Sequence, residues 1–230
     1  MKYIYITMVE LPTFANKVTR IMTGFKYSHA SVSLDENLST LYSFQIRNRK
    51  LFLVGGFIEE TRDIYFHGKN NVILSEMVFK VPVSDDEYEH ILKFIQSVKN
   101  DCEYTFNYVS ALFMFTFGGV KSYKAFHCVE FVSEVLLRTN SVAIPKEPHK
   151  MLPKDLYKAL MPYKIKDSCL KSEDFEYRDD LFMKKIKIVV AIKKSVYSVR
   201  EAICRAILKR TSKKFDYRKV NVYEYDTSNS

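Results

Sequence analysis

The sequence predicts an α+β protein, and three segments carry this prediction. Residues 2–9 are rich in β-forming side chains that alternate in polarity, and residues 28–34 alternate in the same way, so both are typical of strands. Residues 84–87 form a capping-box pattern, after which apolar residues recur at helical spacing as far as residue 98. Because the helices and strands follow in mixed order, α+β is favoured over a doubly wound parallel sheet.

The other elements of the N-terminal half follow from periodicity and turn residues. An apolar stripe at helical spacing predicts a helix over 11–22, and Gly24 suits its C-terminal cap because glycine adopts left-handed backbone without strain. We further predict a hairpin of strands 28–34 and Leu41–Ile46 around a turn at 35–37, a loop broken by Gly55 and Gly56, a strand starting at Phe57, and a strand over 72–83.

The C-terminal half is predicted to be mainly helical. The segment 107–117 is strongly apolar but too short to span a bilayer, so we expect a buried helix there. We also predict a helix that begins near Cys128, a short helix over Pro153–Leu160, a strand over 186–192, and a basic amphipathic helix over 195–210.

The positive charge of this protein belongs to one end of the chain. Residues 1–183 carry 23 Lys and Arg against 23 Asp and Glu, whereas residues 184–230 carry 13 against 4 and account for the whole net charge of +9. We therefore predict a body over 1–183 and a basic strand and helix extension over 184–230 that packs on it. The neutral body argues against a nucleic-acid-binding protein, and binding through Lys213 and Lys214 is the weaker option.

The N-terminus does not have the pattern of a secretory signal, and no apolar run is long enough to cross a membrane. The four cysteines show neither paired nor metal-ligand spacing. They are Cys102, Cys128, Cys169 and Cys204. We therefore expect reduced thiols in a cytoplasmic protein that uses neither a metal nor an organic cofactor, with a peripheral position at the membrane as an option.

Cys128 stands at the first turn of an amphipathic helix. The positive end of the helix dipole favours a thiolate, which is the nucleophilic form of cysteine. Burial as an inert structural thiol is the alternative interpretation. A nucleophilic cysteine also needs a base, and five histidines are available.

His29 is the strongest candidate for the base. It begins a predicted strand on the face opposite Ala30 and Val32, so a rigid sheet would hold its ring towards a helix end packed nearby. His127 is adjacent to Cys128 and points in another direction, but it can tune the thiol. His149 lies in a proline-rich loop, whereas His67 and His90 have no partner that the sequence reveals.

Four segments in this order resemble a known family. They are Tyr27-Ser28-His29-Ala30-Ser31, Leu41-Tyr42-Ser43-Phe44, Gly55-Gly56-Phe57-Ile58-Glu59-Glu60 and Phe126-His127-Cys128-Val129-Glu130. Together they resemble the circularly permuted NlpC/P60 branch of the papain-like cysteine hydrolases, in which the histidine strand precedes the nucleophile helix. The resemblance covers roughly residues 1–160.

The resemblance implies a papain-like core in which a small antiparallel sheet packs on the Cys128 helix. It also implies cleavage of an amide, peptide or ester bond through a thioester, with Cys128 as nucleophile and His29 as base. In the family a glutamate on a later strand commonly orients the histidine, which makes Glu60 the first candidate here and Glu59 the second. Other polar side chains that are candidates for orienting His29 or lining the site are Ser43, Gln45, His127 and Glu130.

The substrate and the role of the basic helix stay open at this point. A peptide, an amide and an acyl lipid are all consistent with the predicted chemistry. A non-catalytic binding or membrane-surface module with the same fold is the alternative function. For residues 195–210, one interpretation packs the stripe of Val196, Val199, Ile203 and Ile207 on the body, and the other places it on an anionic membrane.

Overall fold

The fold was analysed in a computed structural model. It describes residues 1–46, 48, 54–113, 118–176, 185 and 187–211. Four predictions therefore lie partly or wholly outside the described residues. They concern residues 114–117 of the apolar segment, residue 186 of the predicted strand, the boundary at 183/184, and Lys213 with Lys214.

The protein is α+β, with a six-stranded antiparallel sheet and six α-helices in the described residues. The strands are β1 (Lys2–Val9), β2 (His29–Ser33), β3 (Leu41–Ile46), β4 (Gly55–Glu60), β5 (Ile73–Val83), β6 (Thr105–Phe106), β7 (Ala125–Phe126) and β8 (Lys164–Lys171). The helices are α1 (Phe14–Thr23), α2 (Asp85–Asn100), α3 (Tyr108–Phe113), α4 (Cys128–Leu136), α5 (Pro153–Leu160) and α6 (Ile188–Ile203). The large sheet has the order β4-β3-β2-β1-β5-β8, and β6 and β7 pair in parallel beside it.

Apolar side chains cover both faces of the large sheet. On one face, Val32 and Phe44 of the sheet pack with Phe131 of α4 and Ile91 of α2. The ring centroids of Phe44 and Phe131 lie 5.3 Å apart, which places α4 directly over β2 and β3. On the other face, a smaller cluster surrounds Leu41, with Tyr65 of the short 3-10 helix Arg62–Phe66 packed into it. Burial of these side chains from water is what holds the layers together.

Most of the predicted elements are confirmed by the structure, within a few residues at their ends. The predicted capping box is present, because the Ser84 side chain accepts from the Glu87 N–H while the Glu87 carboxylate accepts from the Ser84 N–H. Gly24 closes α1 with a φ of 59°, in the left-handed region where glycine is favoured.

The predicted loop at Gly55 and Gly56 is wrong, because both residues lie inside β4. Gly55 is needed there for a close approach: a Cβ atom at this position would lie 2.5 Å from the Gln45 carbonyl oxygen of β3 and 2.9 Å from the Tyr108 hydroxyl. The pair of glycines thus reflects crowding around a strand and not a turn.

The predicted strand over 186–192 is also wrong, because residues 188–203 form one helix, α6. The β-branched run that favours a strand continues into residues at helical spacing, and this longer period decides the structure. The buried helix expected over 107–117 is corrected as well: its described part, α3, presents Leu112 to solvent with 71% of the residue exposed. Strand β8 escaped prediction because it is a mostly exposed edge strand with many charged residues.

Candidate active site

Cys128 is the first residue of α4 and is half-buried. His127 precedes the helix as its N-cap: its Nδ1 accepts a hydrogen bond from the Glu130 N–H at 3.3 Å. The Glu130 carboxylate returns the contact by accepting from the His127 N–H at 3.3 Å. This reciprocal cap is the reason that the helix begins at Cys128, and it places the thiol at the positive end of the helix dipole.

His29 is the first residue of β2, at the end of the sheet where α4 begins. Its ring is buried, and its Nε2 lies 2.8 Å from the Glu60 Oε1 atom. This contact occupies Nε2. The Cys128 side chain is close enough to the ring to raise the pKa of His29 through its charge. The Cys128 sulfur also lies 4.0 Å from the Ser28 carbonyl oxygen, so thiol and histidine strand are adjacent.

Glu60 is held in place by three further side chains. Its Oε1 atom accepts hydrogen bonds from the Tyr65 hydroxyl at 3.0 Å and from the Ser31 hydroxyl. Its Oε2 atom accepts from the Gln45 amide at 2.7 Å. A carboxylate in so many hydrogen bonds cannot rotate away, and it therefore fixes the orientation of the His29 ring.

The structure separates the candidates for the orienting residue. Glu59, next to Glu60 on β4, points to the other side of the strand and pairs with Lys99 at the surface. Gln45 bonds to Glu60 and supports His29 through it. Ser43 is buried on the same side, but its hydroxyl makes no hydrogen bond to a described residue. Glu60 is thus the carboxylate that contacts His29.

The electrostatics of the site favour an ion pair between sulfur and imidazole. Burial by itself raises the pKa of the Cys128 thiol, but the His127 and His29 rings outweigh it and lower this pKa to about 6. Burial lowers the pKa of His29, but the Glu60 carboxylate and Cys128 outweigh it and raise this pKa to about 10. Burial likewise raises the pKa of Glu60, yet the net shift is downward because of His29 and the hydroxyl donors. Near neutral pH the favoured state is thiolate, imidazolium and carboxylate in a row.

Glu130 belongs to the helix cap. Besides the His127 N–H, its Oε2 atom accepts from the Asn107 amide at 3.1 Å. Burial raises the pKa of Glu130 to about 7, against the opposing effect of His127. The Glu130 carboxylate is only two residues from Cys128 in the sequence. Its hydrogen bonds hold it on the side of α3, which explains why the site tolerates this acidic residue next to the nucleophile.

The other three histidines stand on other elements of the structure. The His149 ring is directed towards Glu147, with 3.8 Å between Nε2 and Oε2. Its carbonyl oxygen accepts from the Ser110 hydroxyl at 3.0 Å. His90 is exposed on α2, and His67 ends the short helix after β4.

Three residues that support the site escaped the sequence analysis. Ser31 can be predicted from the sequence, because the two-residue period of a strand puts it on the same face as His29. Tyr65 and Asn107 come from a short 3-10 helix and from the start of α3, and nothing in the sequence connects either of them with Glu60 or Glu130. In the part of the chain that the structure describes, no three His, Cys, Asp or Glu side chains are grouped to hold a metal ion.

The arrangement can activate a thiol, accept its proton and return that proton to a leaving group. These are the requirements of nucleophilic catalysis by cysteine. The described residues contain no helix that is both long and apolar enough to cross a membrane. Comparisons with protein-family models, with curated proteins and with solved structures find no match for this chain.

Proposed function

We propose that this protein is a cysteine hydrolase that cleaves an amide, peptide or ester bond. Cys128 is the nucleophile, His29 the general base and acid, and Glu60 the residue that orients His29. The observation that carries the proposal is the buried contact of 2.8 Å between His29 and Glu60, next to a thiol at a helix N-terminus whose sulfur lies 4.0 Å from the carbonyl oxygen of the adjacent Ser28. A structural cysteine needs neither of these partners.

We also propose that the core is a permuted papain-like fold of the NlpC/P60 type. The support is the order of its parts along the chain. The strand that carries His29 comes first, the strand that carries Glu60 follows, and the helix that carries Cys128 comes last and packs on both β2 and β3.

The first chemical step is attack by the Cys128 thiolate on the carbonyl carbon of the substrate. A carbon–sulfur bond forms and the carbonyl oxygen becomes negative. The capping box uses the N–H groups of His127 and Glu130, and the Cys128 N–H makes no hydrogen bond to a described residue. That N–H and the dipole of α4 are therefore available to stabilise the oxyanion.

The tetrahedral intermediate then collapses. The imidazolium of His29 donates its proton to the leaving nitrogen or oxygen, the bond to the leaving group breaks, and an acyl thioester remains on Cys128. Acylation removes the sulfur charge that had raised the pKa of His29. The ring, neutral after it has given up its proton, takes a proton from water as that water attacks the thioester carbon. The carbon–sulfur bond then breaks, which releases the acid and restores the thiolate beside the imidazolium.

The test is acylation by an activated ester. With p-nitrophenyl acetate we expect a burst of p-nitrophenolate close to one equivalent of enzyme, and an acetyl group on Cys128 in peptide mass spectra. Cys128→Ala should abolish the burst, and His29→Gln should reduce it strongly. Cys102→Ala is the matched control and should keep the burst. A burst that survives Cys128→Ala would contradict the proposal.

The second candidate is a non-catalytic binding module with the same fold. It is favoured by the burial of the base, since only 3% of the His29 residue is exposed. The acylation experiment separates the two candidates. A folded wild-type protein that shows neither a burst nor faster alkylation at Cys128 than at its other cysteines would support the binding module.

A further inference from the structure

Helix α6 packs on the body of the protein with its polar side. In α6 and the π-helical turn after it, Cys204–Leu208, the buried residues among those whose side chains the structure describes are Ala191, Ser198, Glu201 and Arg205. They recur at helical spacing and form a single stripe. An amphipathic helix of a globular protein normally buries its apolar stripe, so this helix is turned the opposite way.

Buried hydrogen bonds fix this orientation. The Arg205 guanidinium, with 0% of the residue exposed, bonds to the Glu201 carboxylate at 2.8 Å. It also donates to the carbonyl oxygens of Tyr123 at 3.1 Å and Lys124 at 2.8 Å. Rotating α6 to bury its apolar side would break the bonds of Arg205 to these carbonyl oxygens and leave them without their donor, which is unfavourable.

The opposite side of the helix, which we call the outer face, is apolar and exposed. It consists of Val189, Ile192, Val196, Val199, Ile203 and Ile207. The fraction exposed reaches 77% at Val189 and 70% at Ile207, at the two ends of the stripe. Of the two interpretations of this stripe, the exposure of its side chains contradicts the one that packs it on the body. A contiguous apolar surface of this kind marks an interaction site.

The charges around the outer face are of one sign. Lys193, Arg200 and Arg210 are exposed beside the aliphatic stripe. Glu201 is the only acidic residue in 187–211, and it is buried against Arg205. Helix α3, which packs against α6, adds the exposed side chain of Leu112. The partner surface must therefore accept aliphatic side chains and carry negative charge next to them.

We propose that the outer face of α6 docks on an anionic membrane surface, with its aliphatic side chains in the acyl boundary and its basic residues at the lipid headgroups. An interfacial helix has this combination of an apolar stripe with Lys and Arg at its edges. Nucleic acid matches the charge but offers no acyl layer for six aliphatic side chains. A second copy of this chain is a separate occupant that the experiment distinguishes.

The test is co-sedimentation of the full chain with vesicles. We expect binding to vesicles of phosphatidylcholine with about 30% phosphatidylserine, and much weaker binding to phosphatidylcholine alone. Lys193→Glu with Arg200→Glu should weaken binding at least about tenfold, because each basic residue near such a surface contributes about fivefold. The control pair is Lys93→Glu with Lys154→Glu, two exposed lysines on α2 and α5.

A second pair of variants tests the apolar contribution. Val196→Asp with Ile203→Asp should also reduce vesicle binding at least about tenfold, and Ile73→Asp with Ile165→Asp, at two exposed positions of β5 and β8, is the control. Because all of these positions are exposed, circular dichroism and melting temperature should stay close to wild type. Cys128→Ala should bind vesicles as wild type does, so the inference is independent of the proposed hydrolase activity.

Three outcomes would overturn the inference. The first is no binding of the wild-type chain to the anionic vesicles, or equal binding by the outer-face variants. The second is a concentration-dependent dimer in light scattering that Val196→Asp with Ile203→Asp disperses, which would assign the face to a second copy. The third is binding to a short RNA that depends on Lys193 and Arg200 but not on Val196 and Ile203, without vesicle binding.

Discussion

Glu60 and His29 are separated by 31 positions in the chain, yet the Glu60 carboxylate lies 2.8 Å from the imidazole Nε2 atom, with both side chains buried. Strand β3 lies between the strands that carry them, so the contact spans two strand pairings. The bond is charge-assisted when the ring is protonated, and burial makes it stronger than it would be in water. It also commits the Nε2 atom of His29 to the carboxylate and so fixes the tautomer of the ring.

We expect the alkylation of Cys128 by iodoacetamide to have the pH dependence of a thiol whose pKa lies well below the usual value of about 8.5. The pKa of Cys128 is lowered to about 6, so the reaction rate should rise with a midpoint near this pH. Alkylation quenched after fixed times and followed by peptide mass spectrometry measures the rate at each pH. The other cysteines in the same sample, Cys102, Cys169 and Cys204, serve for comparison. A midpoint above about 8 would contradict the assigned electrostatics.

Hydrolytic activity should decline again at high pH. The pKa of His29 is raised to about 10 by Glu60 and Cys128 against burial, so the imidazolium that protonates the leaving group is lost as the pH passes this value. The pH profile of kcat/KM should therefore be bell-shaped, and its two apparent pKa values belong to Cys128 and His29 as a coupled pair. A profile that rises without an upper limb would show that His29 does not supply the proton.

Glu60→Gln should lower kcat/KM at least about tenfold and move the upper limb to lower pH, because the amide removes the charge that raises the pKa of His29. Glu59→Gln is the matched control on the adjacent residue, whose side chain pairs with Lys99 at the surface. It should leave both quantities near wild type. If the two variants behave alike, Glu60 does not orient the base.

His127 has two roles that substitutions can separate. Asparagine is a good N-cap, so His127→Asn should keep the helix cap, whereas His127→Ala should lose about 1 kcal/mol of stability with the cap. Both should raise the midpoint of Cys128 alkylation, since the His127 ring helps to lower the pKa of the thiol. Denaturant unfolding and the alkylation profile measure the two effects. An unchanged midpoint in both variants would assign His127 to capping alone.

Glu130→Gln should change the dependence of stability on pH. The pKa of Glu130 is raised from 4.5 to about 7, so its stabilising, protonated form is fully present below about 4.5 and is lost as the pH rises to about 7. The glutamine of the variant stays neutral at every pH. As the pH rises from 4 to 8, the unfolding free energy of Glu130→Gln should therefore increase relative to that of wild type by up to about 3 kcal/mol.

The control for this prediction is Glu134→Gln on the same helix, where the carboxylate pairs with Arg138 near the surface. Its stability difference from wild type should vary much less over the same range. Urea unfolding at several pH values gives the comparison. If the unfolding free energies of wild type and Glu130→Gln depend on pH in the same way, burial does not raise the pKa of Glu130.

The sequence by itself determined the α+β class, the helix start at Cys128 and the position of His29 on a strand, because capping, periodicity and turn signals act over a few residues. It also placed Glu60 among the candidates, through a resemblance and not through geometry. The order of strands in the sheet could not be read in this way, because pairing between distant strands depends on the packing of the whole chain.

Only the tertiary structure decided which carboxylate meets His29 and which way α6 faces. Glu59 and Glu60 are adjacent in sequence, and the alternation of β4 sends one to Lys99 and the other to the buried ring. The apolar stripe of α6 predicts burial, but Arg205 bonds to the carbonyl oxygens of Tyr123 and Lys124, and these bonds hold the other side of the helix against the body. In both cases the outcome depends on partners far away in the chain, which local periodicity does not contain.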